Sequence, residues 1–152
     1  MRVLIAAIGK AKAGPEQDLY IDYTRRLPWK ITCSEHVIKA QNPTQKMQQE
    51  SAQLLKACEG YERLIALDET GKQLSSQEFA QQMKSWQQEG FSSFAFAIGG
   101  SDGHSEELLK KAHLKWSFGR VTWPHMMVRP MLAEQLYRAH SIITGHPYHR
   151  EG

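Results

Sequence analysis

The amino-acid sequence predicts an α/β fold in which a parallel sheet has helices on both faces. Short apolar segments typical of buried strands alternate five times with longer segments of helical period. The segments between the strands are long enough for helical crossovers, which parallel strands require. Because the 152 residues contain no linker and no internal repeat, we predict a single domain over residues 1–152.

Five segments are predicted to be strands because they are apolar or rich in β-branched residues and end at turn-forming residues. The first ends at Gly9, the fourth continues directly into a glycine-rich segment, and the fifth ends at Pro124. In chain order the predicted strands span residues 2–8, 31–38, 64–67, 91–98 and 121–123.

Helices are predicted between the strands from their end signals. Proline suits the first turn of a helix, so Pro15 and Pro43 begin the first two. Ser75 or Ser76 caps the third helix, and Ser105 begins the fourth. The first helix stops before Pro28, and glycines end the next two. A last, long helix is predicted from about residue 127 to residue 143.

The charge of the chain is unevenly distributed. Residues 1–109 carry 12 Lys and Arg against 14 Asp and Glu, whereas residues 110–152 carry seven basic residues against two acidic ones. Five of the seven histidines also lie in that last part. A basic, histidine-rich end indicates an anionic partner, with nucleic acid first among the candidates. A solvated basic surface without a ligand would show the same pattern, so charge alone does not decide.

Several classes of protein are excluded. The proportions of hydrophobic residues, 41%, and charged residues, 23%, are ordinary for a globular protein. The apolar runs are shorter than the roughly 20 residues that cross a membrane. Lys10 and Lys12 follow the apolar N-terminus where a signal peptide would be cleaved, so we expect a cytoplasmic, soluble protein. Cys33, Cys58 and the closing histidines lack the spacing of disulfide or metal sites, and we expect no metal.

Ligands of parallel α/β sheets bind beyond the carboxyl ends of the strands, so the segments after strands three to five are the candidate site. Three glycines in residues 99–103 would let the backbone approach a ligand closely. Their spacing is that of neither a dinucleotide fingerprint nor a P-loop. A tight turn without a ligand explains the glycines equally well. The three segments are residues 67–72, 99–103 and 118–125.

The C-terminal part of the chain offers a nucleic-acid site and a dimer surface. Tyr148, His149 and Arg150 could stack on an unpaired base, bond its edge and hold its phosphate, although a disordered tail would have the same composition. The last helix has an apolar stripe that serves either as core or as a self-complementary dimer contact. The stripe consists of Val128, Met131, Leu132, Leu136, Ala139 and Ile143.

Seven motifs, in this order and over essentially the whole chain, resemble the ribosomal RNA large subunit methyltransferase H family. They are Ile8-Gly9-Lys10, Tyr23-Thr24-Arg25-Arg26-Leu27, Leu67-Asp68-Glu69-Thr70-Gly71-Lys72, Phe96-Ala97-Ile98-Gly99-Gly100-Ser101-Asp102-Gly103, Thr122-Trp123-Pro124-His125, Leu136-Tyr137-Arg138-Ala139 and Pro147-Tyr148-His149-Arg150. These are small SPOUT-type enzymes that methylate N3 of a pseudouridine in 23S rRNA. The combination is specific, whereas no single motif is.

The resemblance implies an α/β trefoil knot, an obligate homodimer and S-adenosylmethionine as cofactor beside the dimer interface. It also implies that the substrate is the large ribosomal subunit, since the chain has no room for an added RNA-binding domain. By motif position, the cofactor-binding residues would be Leu67, Gly99, Gly100, Phe118, Gly119, Arg120, Val121, Thr122 and Trp123.

The implied chemistry needs neither a metal nor a covalent intermediate, because the cofactor's methyl group is already activated. The N3 proton of the base must still be removed. The candidates for accepting it, or for orienting the reacting groups, are His125, Glu134 and His149. Arg138 is a further catalytic candidate, since it, like Arg129 and Arg150, would bind phosphates or polarise the base carbonyls beside N3. The candidates for binding substrate RNA are Arg129, Tyr148 and Arg150.

Two residues depart from the expected pattern. His104 follows the glycine segment where a large apolar residue is expected, and Pro130 is compatible with the last helix only in its first turn. Two alternatives to the rRNA enzyme stay open. A SPOUT-like enzyme that acts on tRNA would share the cofactor site, and a ribosome-associated RNA-binding protein without catalytic activity would keep only the basic end.

Overall fold

Five parallel strands form one sheet, which confirms the predicted α/β class. The computed structural model describes residues 1–150, so the last two residues of the predicted domain lie outside it. The strand order is β2-β1-β4-β3-β5. The strands are β1 (Arg2–Ile8), β2 (Lys30–His36), β3 (Arg63–Lys72), β4 (Ser93–Ile98) and β5 (Leu114–Trp116).

Helices follow the strands and begin within two residues of the predicted starts. The Asn42 side chain accepts the N–H of Thr44 at 2.8 Å. Ser75 and Glu78 form a reciprocal capping box. A 3₁₀ turn over Pro147–His149 follows the last helix. The helices are α1 (Pro15–Arg26), α2 (Pro43–Ala57), α3 (Ser76–Gln88), α4 (Glu106–Lys111) and α5 (His125–Thr144).

The central strands β1 and β4 are buried on both faces of the sheet, to which alternate residues of a strand point in turn. In β1, one face carries Val3, Ile5 and Ala7, which belong to a hydrophobic cluster with α1, α3 and α5. The other face of β1 belongs to a second cluster with α2 and α4. This two-sided packing is the predicted arrangement of helices on both faces.

The fifth strand is not where the sequence predicts it. Residues 121–123 form an exposed loop, and the side chain of Val121 is 61% exposed. The strand at the edge of the sheet is Leu114–Trp116, which pairs with β3. Its three residues are too few to show a strand period, whereas the β-branched pair Val121-Thr122 imitates one. The other predicted elements agree within two residues, except that β3 is longer.

The extension of β3 contains the segment that the sequence assigns to a loop. A register shift lies between Leu67 and Lys72, both of which pair with Trp116. Gly71 lies against the next strand, because a Cβ there would stand 2.6 Å from the backbone carbonyl group of Lys115. Only glycine fits this approach of two strands.

Helix α5 differs from the sequence prediction in two respects. Leu136, in the middle of the predicted dimer stripe, is 0% exposed within one chain and packs in the core with Leu132 and Ala139. The centre of the stripe is therefore core rather than a free dimer surface. Pro130 is the sixth residue of the helix, one turn later than expected, so the carbonyl of Met126 receives no N–H from it.

Candidate active site

A cavity of about 590 Å³ lies at the carboxyl ends of β3, β4 and β5, where the sequence predicts the site. We call it the loop cavity; residues 67–70, 98–104 and 118–125 supply most of its lining. Arg120, in the third segment, is exposed and is not one of the lining residues. The other eight predicted cofactor residues line the cavity, namely Leu67, Gly99, Gly100, Phe118, Gly119, Val121, Thr122 and Trp123.

Two glycines let the backbone form one wall of the loop cavity. A Cβ on Gly99 would lie 3.1 Å from the imidazole ring of His104. A Cβ on Gly100 would lie 2.9 Å from a carboxyl oxygen of Glu50. Because side chains at these positions would crowd their neighbours, backbone N–H and C=O groups border the cavity instead.

His104 holds two of the three segments together. Its ring is buried, and Nε2 lies 3.0 Å from the carbonyl oxygen of Leu67. Burial lowers the pKa of His104, so the neutral ring donates through its Nε2–H. The imidazole thus fills the volume predicted for an apolar residue and adds a hydrogen bond to the middle of β3. The departure at this position is compatible with an intact site.

The third segment is fastened to β3 and to itself. The Ser117 hydroxyl lies 3.1 Å from the carbonyl oxygen of Glu69 and 3.1 Å from the N–H of Gly119. The Trp123 indole donates its N–H to the carbonyl oxygen of Phe118 at 3.1 Å. Since these contacts involve backbone groups, the segment keeps its shape without a regular strand.

The structure divides the candidate catalytic residues into two places. His125, exposed at the start of α5, lines the loop cavity. Arg138 donates its Nε–H to Glu134 at 2.7 Å and an Nη1–H to Nδ1 of His149 at 3.0 Å. Glu134 lies nine positions after His125 in α5, which is about 13.5 Å along the helix axis. His125 is thus apart from the other three.

A pair of tyrosines lies beside the group formed by Glu134, Arg138 and His149. The Tyr148 hydroxyl lies 3.1 Å from that of Tyr23, and the Arg138 guanidinium lies 4.8 Å from the centre of the Tyr148 ring. Burial and the bond to Tyr23 raise the pKa of Tyr148. We call Tyr23, Glu134, Arg138, Tyr148 and His149 the tail cluster. The role of Tyr23 was missed in the sequence, although it begins one of the family motifs, because 125 residues separate it from Tyr148.

The predicted RNA-binding residues also have different surroundings. Arg129 is buried, pairs with Glu35 and donates to the carbonyl oxygen of Gly9 at 2.8 Å. Its guanidinium is therefore not available to a phosphate, which contradicts the predicted RNA contact. Tyr148 already packs against Arg138, and Arg150 is exposed.

A second cavity, of about 900 Å³, lies between α1, the start of α3 and α5. We call it the helix groove. It shares Trp116, Phe118 and Gly119 with the loop cavity, and Tyr23 and Glu134 of the tail cluster line its other side. The helix groove therefore borders both the loop cavity and the tail cluster.

The five-stranded parallel α/β fold fits that of the SPOUT methyltransferases. A family model described as "Predicted SPOUT methyltransferase" matches residues 1–149, and the chain belongs to this family. Among residues 1–150, no helix is long and apolar enough to span a membrane, and no group of three His, Cys, Asp or Glu residues could hold a metal ion.

Several proteins similar to this chain have the same name. Proteins named Ribosomal RNA large subunit methyltransferase H match this chain over almost its full length. The protein from Paramagnetospirillum magneticum is 51% identical, with 99% of each chain covered. The proteins from Rhodospirillum centenum and Zymomonas mobilis are 44% and 41% identical, with 99% and 100% of each chain covered.

Proposed function

We propose that this protein methylates N3 of a pseudouridine in 23S rRNA on the assembled large ribosomal subunit, with S-adenosylmethionine as methyl donor. The observation that carries the proposal is the full-length similarity to proteins named for rRNA methylation, together with a cavity at the predicted strand ends. An enzyme acting on ribosomes would work in the cytoplasm, as one domain over residues 1–152.

The loop cavity suits the methyl donor because its glycines leave backbone groups beside the ligand. Leu67, Gly99 and the segment from Phe118 to Trp123 would hold the donor through those groups. When bound, S-adenosylmethionine supplies a methyl group that its sulfonium has already activated. We further propose the family's trefoil knot, formed near the segments after β4 and β5.

The two groups of polar residues suit different tasks. His125 lines the loop cavity and is the candidate nearest to the donor for accepting the N3 proton of the base. The tail cluster lies about 13.5 Å away along α5, and its ring and cation suit the neighbouring nucleotides of the RNA. In this proposal Glu134 fixes Arg138, and His149 orients the same guanidinium from its other side.

We also propose that a second copy of the chain covers the helix groove. Leu19 is 48% exposed, and Met127 is also exposed at the groove. Apolar side chains at the edge of a large apolar groove are typical of a surface that a partner covers. The groove adjoins the loop cavity through three shared residues, as the family's cofactor site beside the dimer interface requires.

The test of the function is mass spectrometry of rRNA from a strain that lacks the gene. We expect one methyl group to be missing from a pseudouridine-containing fragment of 23S rRNA and to return with the wild-type gene. Complementation with Gly99→Val should not restore it. Calorimetry with S-adenosylhomocysteine tests the donor site separately. A missing methyl group in tRNA, or a protein that does not bind the ligand, would favour one of the two alternatives.

Light scattering tests the dimer surface. We expect Leu19→Glu to give a folded monomer, because the carboxylate is solvated in the monomer but would be buried in the dimer. Leu136→Glu is the matched comparison inside the core. It should unfold the chain, since burial of an unpaired carboxylate costs several kcal/mol, roughly. A dimeric Leu19→Glu protein would show that the interface lies elsewhere.

A further inference from the structure

Glu50 is a buried acid that the proposed function has not used. It lies on α2, and its side chain is almost fully buried, with 2% of the residue exposed. Its Oε1 has no hydrogen-bond partner among residues 1–150. A buried carboxyl group without a partner destabilises a fold, so such a residue calls for an explanation.

The carboxyl group lies directly behind the glycine segment of the loop cavity. Both of its oxygens lie 2.9 to 3.0 Å from the position of a Cβ on Gly100. The next residue, Ser51, is also buried, and its hydroxyl accepts the N–H of Ser105 at 2.8 Å. Helix α2 thus lies against the segment after β4 at two points. Ser51 makes a hydrogen bond at one of them, and Glu50 has an oxygen without a partner at the other.

Three charged or titratable side chains surround Glu50. Lys46 lies one turn earlier on α2, Asp102 lies in the glycine segment, and His125 lies at the start of α5. Burial raises the pKa of Glu50, and Asp102 raises it further, while Lys46 and His125 act in the opposite direction. Glu50 therefore lies near Asp102 and His125, which line the loop cavity, without lining the cavity itself.

We propose that Glu50 is a positioning residue for the methyl donor: its free oxygen accepts backbone N–H groups of the segment 99–103 and fixes the wall of the loop cavity when the donor binds. The inference rests on the proposed function, since it takes the loop cavity as the donor site. It adds a residue of α2, which no motif of the sequence indicated. In this proposal α2, which otherwise only packs against the sheet, also determines the shape of the ligand site.

Calorimetry with S-adenosylhomocysteine and thermal unfolding test the role together. Glu50→Met removes the acceptor and keeps the volume. We expect its affinity to fall about tenfold or more, as for the loss of a hydrogen bond to a charged group. Its unfolding midpoint should stay the same or rise, because a buried carboxyl is removed. Glu50→Gln keeps an acceptor oxygen and should bind within about threefold of the wild type.

A merely structural Glu50 would give the opposite pattern, with stability lost and affinity kept. Wild-type affinity in Glu50→Met would overturn the inference, as would an equal loss in Glu50→Gln. If Glu50→Met does not fold, amide exchange of the wild type decides. Residues 100–103 should gain protection when the ligand binds, and no gain would overturn the inference. A wild-type protein that does not bind the ligand would overturn the proposed function itself, which is a distinct result.

Discussion

The loop cavity and the tail cluster are built from different parts of the chain. Backbone forms much of the loop cavity, at glycines where a side chain would meet His104 or Glu50. The tail cluster consists of charged and aromatic side chains that contact one another. A wall of backbone suits a ligand of fixed shape, whereas ionic and aromatic side chains suit RNA, which is held by charge and stacking.

This difference implies that the two regions can be disabled separately. A change of shape in the loop cavity should affect donor binding, and a change of charge in the tail cluster should affect the RNA step. The following mutations test that separation, beginning with the largest expected effect.

Gly99→Val should reduce the affinity for S-adenosylhomocysteine at least a hundredfold. Its Cβ would lie 3.1 Å from the His104 ring, and its methyl groups would crowd the cavity wall. Calorimetry measures the loss. The tail cluster should be unchanged, with near-UV circular dichroism of its tyrosines as the control. Normal affinity in this variant would refute the donor site.

Arg138→Ala should leave the affinity for S-adenosylhomocysteine unchanged and slow methyl transfer to ribosomes. Loss of the guanidinium frees Glu134, His149 and the Tyr148 ring at once. Hydrogen bonds to charged groups contribute about 1.5–3 kcal/mol, so we expect a single-turnover rate about 10- to 100-fold lower. Arg138→Lys keeps the charge but not the planar fork, and it should recover only part of the rate. If donor affinity falls as well, the two regions are not independent.

His104→Leu tests whether the buried ring beside the loop cavity makes the stability of the protein depend on pH. Burial lowers the pKa of His104, so below its ordinary value the unfolded chain binds a proton that the folded chain does not. The free energy of unfolding of the wild type should therefore fall as the pH drops below the ordinary pKa of histidine. In the leucine variant this loss should disappear, while the lost bond to Leu67 costs about 0.5–1.5 kcal/mol at pH 8. Unfolding midpoints of both proteins across the pH range measure the difference, and parallel curves would contradict the prediction.

Tyr148→Phe should have the smallest effect. It removes one hydroxyl and keeps the ring under Arg138. We expect a loss of about 0.5–1.5 kcal/mol of unfolding free energy, because the bond to Tyr23 is lost. Tyr23→Phe is the matched variant, and the double variant should lose little more than either one. Full additivity in denaturant unfolding would show that the two hydroxyls do not interact.

The sequence was sufficient to locate the loop cavity, because the strand period and the glycines are local signals. Eight of the nine cofactor residues that were proposed from the sequence line this one cavity. The sequence prediction misplaced the fifth strand, since three residues at a sheet edge have too short a period to detect. The stripe of α5 was ambiguous because core and dimer surfaces have the same spacing, and only burial distinguishes them.

Long-range pairs could not be predicted. Tyr23 and Tyr148 meet from opposite ends of the chain, and Arg129 meets Glu35 across 94 residues. A basic residue near the C-terminus looks the same in the sequence whether it faces RNA or is buried against a carboxylate of the same chain. Glu50 was likewise unpredictable, since an acid in a polar helix is ordinarily exposed.

The ion pair between the buried Arg129 and Glu35 of the edge strand β2 helps to fix the position of α5. Glu35 also accepts the N–H of Ala11 at 2.6 Å, so one carboxylate joins the start of α5 to the connection after β1. An exchange of Glu35 alone leaves a buried cation without its counterion, whereas simultaneous exchange of both partners for apolar residues does not. Over evolutionary time the two positions would therefore change together, and a survey of natural variants would register single exchanges of Glu35 as harmful although this residue does not line the loop cavity.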